Sequence, residues 1–65
     1  MVGIKYARER AGLNQSELAR KLGVLPSAVC RMERPGNYPD AARLPAIAAA
    51  LDCSVDELFE REAAR

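Results

Sequence analysis

Residues 26–34 place small and polar side chains at helical spacing, and their chemistry suits the recognition of DNA bases. If Val29 and Met32 face a core, a rotation of about 100° per residue puts polar residues together on the opposite side. A guanidinium can pair with O6 and N7 of guanine, a hydroxyl can meet a base edge, and an alanine can contact a thymine methyl. We therefore predict base contacts for Ser27, Ala28 and Arg31. The alternative for Arg31 is an ordinary solvated arginine, and only the surrounding pattern weighs against it.

Two short helices must position this face, and residues 15–34 contain two amphipathic patterns that meet at Gly23. Two helices held at a steep angle by a short turn can present the second helix to a DNA groove. Gly23 can adopt the positive φ that a tight helix exit needs, and Ala19 is small where the helices must approach each other. The apolar residues are spaced to bury one shared face: Leu18, Leu22, Val24, Val29 and Met32.

Polar residues at both ends of this segment could contact the phosphate backbone of DNA. Asn14 is predicted to be the N-cap of the first helix, with Glu17 as its capping-box partner. Gln15 opens that helix, where unpaired N–H groups attract phosphate, and its amide could also brace a side chain of the next helix. We predict phosphate contacts at these positions and in the turn after the second helix, at Asn14, Gln15, Arg34, Asn37 and Tyr38. The alternative for each is an ordinary cap or a polar turn residue.

The other patterns complete an all-α chain that forms one domain, residues 1–65. Gly12 suits the end of a first helix, and the dense turn residues 35–39 must end the third. Pro45 would disrupt a long helix, so the body of the fourth helix is placed from Leu44 onward. We predict a compact five-helix bundle with helices over approximately 2–11, 15–22, 26–34, 44–51 and 55–62.

The fifth helix begins at a second capping box, formed by Ser54 with Glu57. Its spacing would turn three apolar side chains toward the core: Val55, Leu58 and Phe59. Asp52 lies between the fourth and fifth helices, where it must end the fourth helix less comfortably than a glycine would. We expect the polar tail, residues 60–65, to fray.

Size and composition exclude several classes of function. A chain of 65 residues buries only about 60% of its unfolded surface, which leaves no room for a large enzyme cleft. A hydrophobic content of 49% argues against disorder, and the few aromatic residues argue against a base-stacking platform. We find no nucleophile–base pair, metal-ligand spacing or phosphate loop in the sequence, and predict no enzyme activity, metal, cofactor or small-molecule ligand.

The cysteines and the hydropathy of the sequence indicate in which cellular compartment the protein is found. Cys30 and Cys53 do not make a disulfide framework, and we expect Cys53 to fill core space. Cys30 is expected to be a partly exposed helix residue, with a redox switch as the less favoured interpretation. We see no secretory signal and no apolar run near the roughly 20 residues that span a bilayer. The sequence therefore predicts a cytoplasmic protein with no membrane partner.

The charge is divided unevenly along the chain. Residues 1–43 carry eight basic and four acidic side chains, which gives +4, whereas residues 44–65 carry two basic and five acidic side chains, which gives −3. Such a division indicates that one end of the domain faces an anion while the other faces water or a partner. A solvated surface of mixed charge is the alternative.

Three stretches together resemble the lambdoid phage repressor and Cro family: GLNQSELARKLGV (12–24), RMER (31–34) and LPAIAAALDCSVDEL (44–58). The resemblance extends over roughly residues 4–59. It implies a lambda-repressor-like, five-helix domain with the helix-turn-helix at helices two and three. It also implies a transcriptional regulator that binds operator DNA as a homodimer, with half-sites about one helical turn apart.

The resemblance also carries roles to individual positions. Gln15 matches the family's phosphate-contacting glutamine, and Asn14 matches a neighbouring phosphate contact found in some members. Ser27 and Arg31 match base-reading positions. A basic–acidic pair that links helix one to helix three in phage repressors corresponds to Arg8 and Glu33, which we interpret as a structural ion pair.

Several residues depart from the family pattern. Leu25 and Pro26 stand where a polar cap and a polar, often base-reading, residue are usual. Pro35 and Asp52 stand where glycines are common. These changes bear on the operator sequence and the affinity. Few side chains suited to base contact remain on the third helix, which has Pro26, Ala28 and Cys30, and the net charge is near neutral. These two features motivate a second hypothesis, that the chain is a protein-interaction module which kept the fold without specific DNA binding.

Overall fold

The computed structural model describes residues 1–63, and these residues form five α-helices joined by turns. The helices are α1 (Val2–Arg10), α2 (Gln15–Leu22), α3 (Pro26–Met32), α4 (Leu44–Ala50) and α5 (Val55–Ala63), with a short 3-10 helix at Ala41–Arg43 before α4. No strand occurs among the described residues. The predicted all-α, five-helix fold class is therefore confirmed.

Local signals set the ends of α2. The Asn14 side chain accepts a hydrogen bond from the Glu17 backbone N–H at 2.7 Å, and the Glu17 carboxylate accepts one from the Asn14 N–H at 2.8 Å. This is the predicted capping box, and it satisfies two N–H groups that would otherwise lack partners. At the other end, Gly23 adopts a left-handed conformation with φ 71°, which lets the chain turn sharply into α3.

The third helix ends at Met32, two residues earlier than predicted. Pro35 disfavours helical geometry in the residue before it. The Met1 ammonium group also caps this end, since it donates to the carbonyl oxygens of Met32 at 2.5 Å and of Arg34 at 2.8 Å, and to that of Asn37. Burial lowers the pKa of this ammonium, while the Glu62 and Glu33 carboxylates oppose that shift. The C-terminal end of α3 is thus held by the start of α1.

Three other helix ends differ from the predicted ones by a single residue, whereas the start of every helix and the end of α2 agree with the prediction. The α1 helix ends at Arg10 and α4 at Ala50, each one residue early, and α5 continues to Ala63, one residue further than expected. Asp52 has a φ of 55°, the left-handed conformation that a glycine would adopt at lower cost. The chain therefore accepts some backbone strain between α4 and α5.

The core is aliphatic and lies where the five helices meet. Its most completely buried large side chains are Met1, Ile4, Leu18, Val29, Ile47 and Leu58. Within the helix-turn-helix, Leu18, Ala19, Val29 and Met32 are buried as predicted, whereas Leu22 and Val24 pack against the core while keeping part of their surface in solvent. The α2 and α3 helices pack mainly on each other, and α5 packs mainly on α1.

The expectation that Phe59 belongs to the buried face of α5 is wrong. Its side chain is 48% exposed, while Leu58 beside it is fully buried. One residue corresponds to a rotation of about 100°, so the two side chains cannot both point into the same narrow contact. Because α5 packs through Leu58, Phe59 is left on the surface.

Candidate nucleic-acid interface

The exposed side of α3 carries the residues predicted to contact bases. Ser27 and Arg31 are exposed, and Ala28 is half-buried. On the opposite side of the helix, Val29 and Met32 are buried against the core. The structure therefore presents the hydroxyl and the guanidinium from one side of a short helix, which forms a ridge on the protein surface.

A groove runs along one flank of this ridge, between α3 and the segment 36–43. It is lined in part by four residues predicted to contact DNA, Ala28, Arg31, Asn37 and Tyr38. It also contains Arg43, which the sequence interpretation did not single out. Only the charge of Arg43 marks it in the sequence. Its approach to α3 depends on the path of the turn after α3, which the motif does not fix.

A second hollow lies on the other flank. Two predicted phosphate contacts, Gln15 and Arg34, line it together with Lys5 of α1 and with Cys30 and Glu33. Lys5 was also missed, because its place next to α3 results from the packing of α1 and not from local spacing. The predicted residues are thus divided between two hollows, and each hollow contains a basic residue that sequence reasoning had not assigned.

A buried ion pair beneath the second hollow joins three helices. The Arg8 Nε donates to Glu33 Oε2 at 2.6 Å, and Arg8 Nη2 donates to Glu33 Oε1 at 3.2 Å. The two residues are only 9% and 4% exposed. The hydrogen bond to Glu33 raises the pKa of Arg8. Arg8 Nη1 also donates to the Leu13 carbonyl at 2.8 Å, which ties α1 to the turn before α2.

Gln15 connects this ion pair to the surface. Its Nε2 donates to Glu33 Oε1 at 3.0 Å, so the first residue of α2 is attached to the residue that directly follows α3. A primary amide has two N–H groups, and this contact uses one of them. The same nitrogen therefore keeps a second donor for a ligand while its position is fixed by the buried carboxylate.

The remaining predicted phosphate contacts differ in their surroundings. Asn14 is exposed, and its side-chain oxygen accepts the hydrogen bond that caps α2. The side-chain N–H groups of Asn14 take no part in that bond. Asn37 donates from Nδ2 to the Arg31 carbonyl at 3.1 Å and so supports the end of α3. The Tyr38 hydroxyl lies 3.4 Å from the Glu62 carboxylate, a neighbour that disfavours an anionic ligand.

The start of α3 lacks the polar chemistry found at the start of α2. Leu25 occupies the N-cap position in an extended conformation and makes no side-chain capping bond. Its side chain is 72% exposed, and Pro26 follows as the first helical residue. A proline at that position is compatible with the helix, since the N–H it lacks would have no partner there.

Four of the nine acidic residues lie on one helix, α5. The first turn of α5 contains Asp56 and Glu57, and Glu60 and Glu62 follow in the same helix. The α5 helix packs mainly on α1, whereas α3 packs mainly on α2. The acidic residues of α5 and Arg31 of α3 therefore lie on different helix pairs. No helix among the described residues is long and apolar enough to cross a membrane.

These features define a class, the compact all-α DNA-binding domains in which two helices joined by a tight turn present the second one. A family model described as helix-turn-helix matches residues 4–58. The chain belongs to this helix-turn-helix family, whose members include Cro and the phage repressors. Comparisons with curated proteins and with solved structures gave no significant match.

Proposed function

We propose that this protein is a sequence-specific transcriptional regulator that binds double-stranded operator DNA as a homodimer, with α3 in the major groove. Membership of the helix-turn-helix family supports DNA binding and gene regulation as the general function. A protein that binds operator DNA would act in the cytoplasm, which is the location that the sequence predicts.

The observation that carries the proposal is the position of α3 between two hollows that both contain basic residues. The hollows also contain one carboxylate each, Glu33, which is paired with Arg8, and the exposed Asp40. The major groove of B-DNA is about 12 Å wide and has a phosphate backbone on each side, so a helix in the groove needs cationic or N–H groups on both flanks. Lys5, Gln15 and Arg34 lie on one flank, and Asn37 and Arg43 lie on the other. The arrangement matches that requirement.

The roles of the side chains follow from this docking. Base contacts are assigned to Ser27, Ala28 and Arg31 on the exposed side of α3. One phosphate backbone is assigned to Asn14, Gln15, Arg34 and Lys5, and the other to Asn37, Tyr38 and Arg43. Tyr38 is the weakest member because of its neighbour Glu62. The Arg8–Glu33 pair is structural, and it also fixes the Gln15 amide.

A dimer through α5 and the region from Leu44 to Leu58 agrees with the exposure of one aromatic side chain. Phe59 is 48% exposed, although a phenylalanine side chain gains considerably from burial. A two-fold interface around Phe59 would cover it in both copies. The operator would then have two half-sites about one helical turn apart.

Salt titration of binding to random-sequence duplex DNA tests this function. Each phosphate contact lowers the slope of log K against log salt by about 0.9. We expect a steep negative slope for the wild type and a slope shallower by about one contact for Arg43→Gln. Arg10→Gln is the matched control, since Arg10 lies in a cleft between α1 and α5 with Asp52 and Glu57, and it should leave the slope unchanged.

Two results of the salt titration would contradict the proposal. Negligible affinity for duplex DNA even at low salt would overturn the proposal and favour the protein-interaction module. Equal changes of slope in Arg43→Gln and Arg10→Gln would contradict the docking of α3 in the major groove. That result would still be compatible with a general electrostatic attraction to DNA.

A further inference from the structure

Leu25 is a large apolar side chain held in solvent beside the face that is proposed to contact bases. Its side chain is 72% exposed, which is more than any other large hydrophobic residue of the described chain. It directly precedes Pro26 and lies two residues before the exposed Ser27. An exposed leucine of this kind adds nothing to the fold and has the wrong chemistry for an N-cap, since it has no acceptor atom.

The backbone around Leu25 is fixed. Its φ and ψ are −77° and 150°, and its carbonyl accepts a hydrogen bond from the Ala28 N–H at 2.9 Å. The following proline restricts Leu25 to extended geometry. The side chain therefore leaves the start of α3 in a set direction, and ordering it against a ligand would cost little backbone entropy.

The major groove offers one apolar group to such a side chain. Base pairs present hydrogen-bond donors and acceptors there, except for the C5-methyl group of thymine. The same methyl is present in 5-methylcytosine. Neither Leu25 nor Pro26 has a side-chain donor or acceptor, so the first two positions of the recognition segment can select a base only through apolar contact.

We infer that Leu25 is a specificity-determining residue, and that it selects a pyrimidine carrying a C5-methyl group at one position of each half-site. This inference rests on the proposed docking of α3 in the major groove. It adds a further element of direct readout to the contacts assigned to Ser27, Ala28 and Arg31, and it gives the apolar start of α3 a function that replaces the missing polar contact.

The test uses the tightest duplex recovered from a random library, with each thymine replaced in turn by uracil. Uracil removes only the methyl group. We expect wild-type affinity to fall about fourfold at one thymine of each half-site, the factor that corresponds to one buried methyl. Because a homodimer carries two copies of Leu25, Leu25→Ala should bind the thymine duplex as weakly as the wild type binds a duplex with uracil at the sensitive position of both half-sites, and it should no longer distinguish the two bases. Ser27→Ala should keep the wild-type ratio between them.

A further duplex distinguishes the two sources of the methyl group. Placing 5-methylcytosine, paired with guanine, at the sensitive position and comparing it with cytosine should show a methyl preference in the wild type and none in Leu25→Ala. Circular dichroism and sedimentation of Leu25→Ala should show an unchanged fold and an unchanged oligomeric state.

Three results would overturn the inference. Specific binding that is equally sensitive to thymine replacement in the wild type and in Leu25→Ala would assign the methyl contact to another residue. Conversion of a dimer to a monomer by Leu25→Ala, with the thymine-to-uracil ratio unchanged, would place Leu25 in an interface between two copies. An absence of duplex binding by the wild type would overturn the proposed function itself, and the inference with it.

Discussion

The two helices of the helix-turn-helix begin with different chemistry. The α2 helix begins with a complete capping box between Asn14 and Glu17, and its first residue is tied to a buried carboxylate. The α3 helix begins with an exposed leucine that makes no capping bond and with a proline. The contacts at the start of α2 therefore stabilise the fold. The start of α3 leaves its side chains in solvent, where a ligand can meet them.

This contrast indicates how the motif divides its tasks. Residues that face the protein are satisfied by other protein groups, as the buried Arg8–Glu33 pair and its bond from Gln15 show. Residues on the exposed side of α3 have no comparable support from the fold. Substitutions of the first kind should change the free energy of unfolding, and substitutions of the second kind should change DNA recognition.

The largest effect is expected from Glu33→Ala. Removing this carboxylate leaves the Arg8 guanidinium buried without its ion partner and frees the Gln15 amide, which should cost about 3–5 kcal/mol of stability. Urea unfolding followed by circular dichroism measures the loss. Glu9→Ala removes an exposed carboxylate from α1 and should change stability by no more than about 0.5 kcal/mol. Similar small losses in both variants would show that the pair does not join the helices.

The two helix starts should respond differently to truncation. Asn14→Ala removes the α2 cap and should cost about 1 kcal/mol, whereas Leu25→Ala should change stability by no more than about 0.5 kcal/mol. Leu25→Ser supplies a capping oxygen and should stabilise the protein by a few tenths of a kcal/mol or more, up to about 1. Thermal unfolding of the three variants provides the comparison. It would contradict the contrast if Leu25→Ala cost as much as Asn14→Ala.

The smallest effect concerns a site outside the motif. Burial raises the pKa of the Cys53 thiol above the ordinary value of 9.0. Below that value the thiol is neutral in both states, and above it the unfolded chain ionises first, so stability should fall as the pH rises from 9.0. Cys53→Ala should lose less stability than the wild type over the same alkaline range. Parallel pH profiles would show that the thiol is not part of the packed interior.

Much of the fold could be predicted because its signals are local. The capping boxes, the left-handed Gly23 and the apolar spacing of α2 and α3 each depend on residues within a few positions of one another. The direction of Phe59 could not be predicted in this way. The apolar pattern of α5 offers two adjacent faces, and only packing against α1 and α4 selects Leu58 for burial.

The candidate site was less accessible to sequence reasoning. The exposed face of α3 follows from helical geometry, but Lys5 and Arg43 join it through the packing of α1 and through the path of the turn after α3. The end of α3 is capped by the Met1 ammonium group, which lies more than thirty residues away in the sequence. Such contacts leave no periodic signal.

The central claim is that the exposed side of α3 recognises bases, and Arg31→Ala tests it most directly. Affinity should be measured for the wild type and the variant on a selected duplex and on a random one, with Arg10→Ala as the control. We predict that Arg31→Ala loses about 1–3 kcal/mol of discrimination at one base pair of each half-site, with unfolding unchanged and a smaller loss on random DNA. Equal losses on the selected and the random duplex would contradict the account.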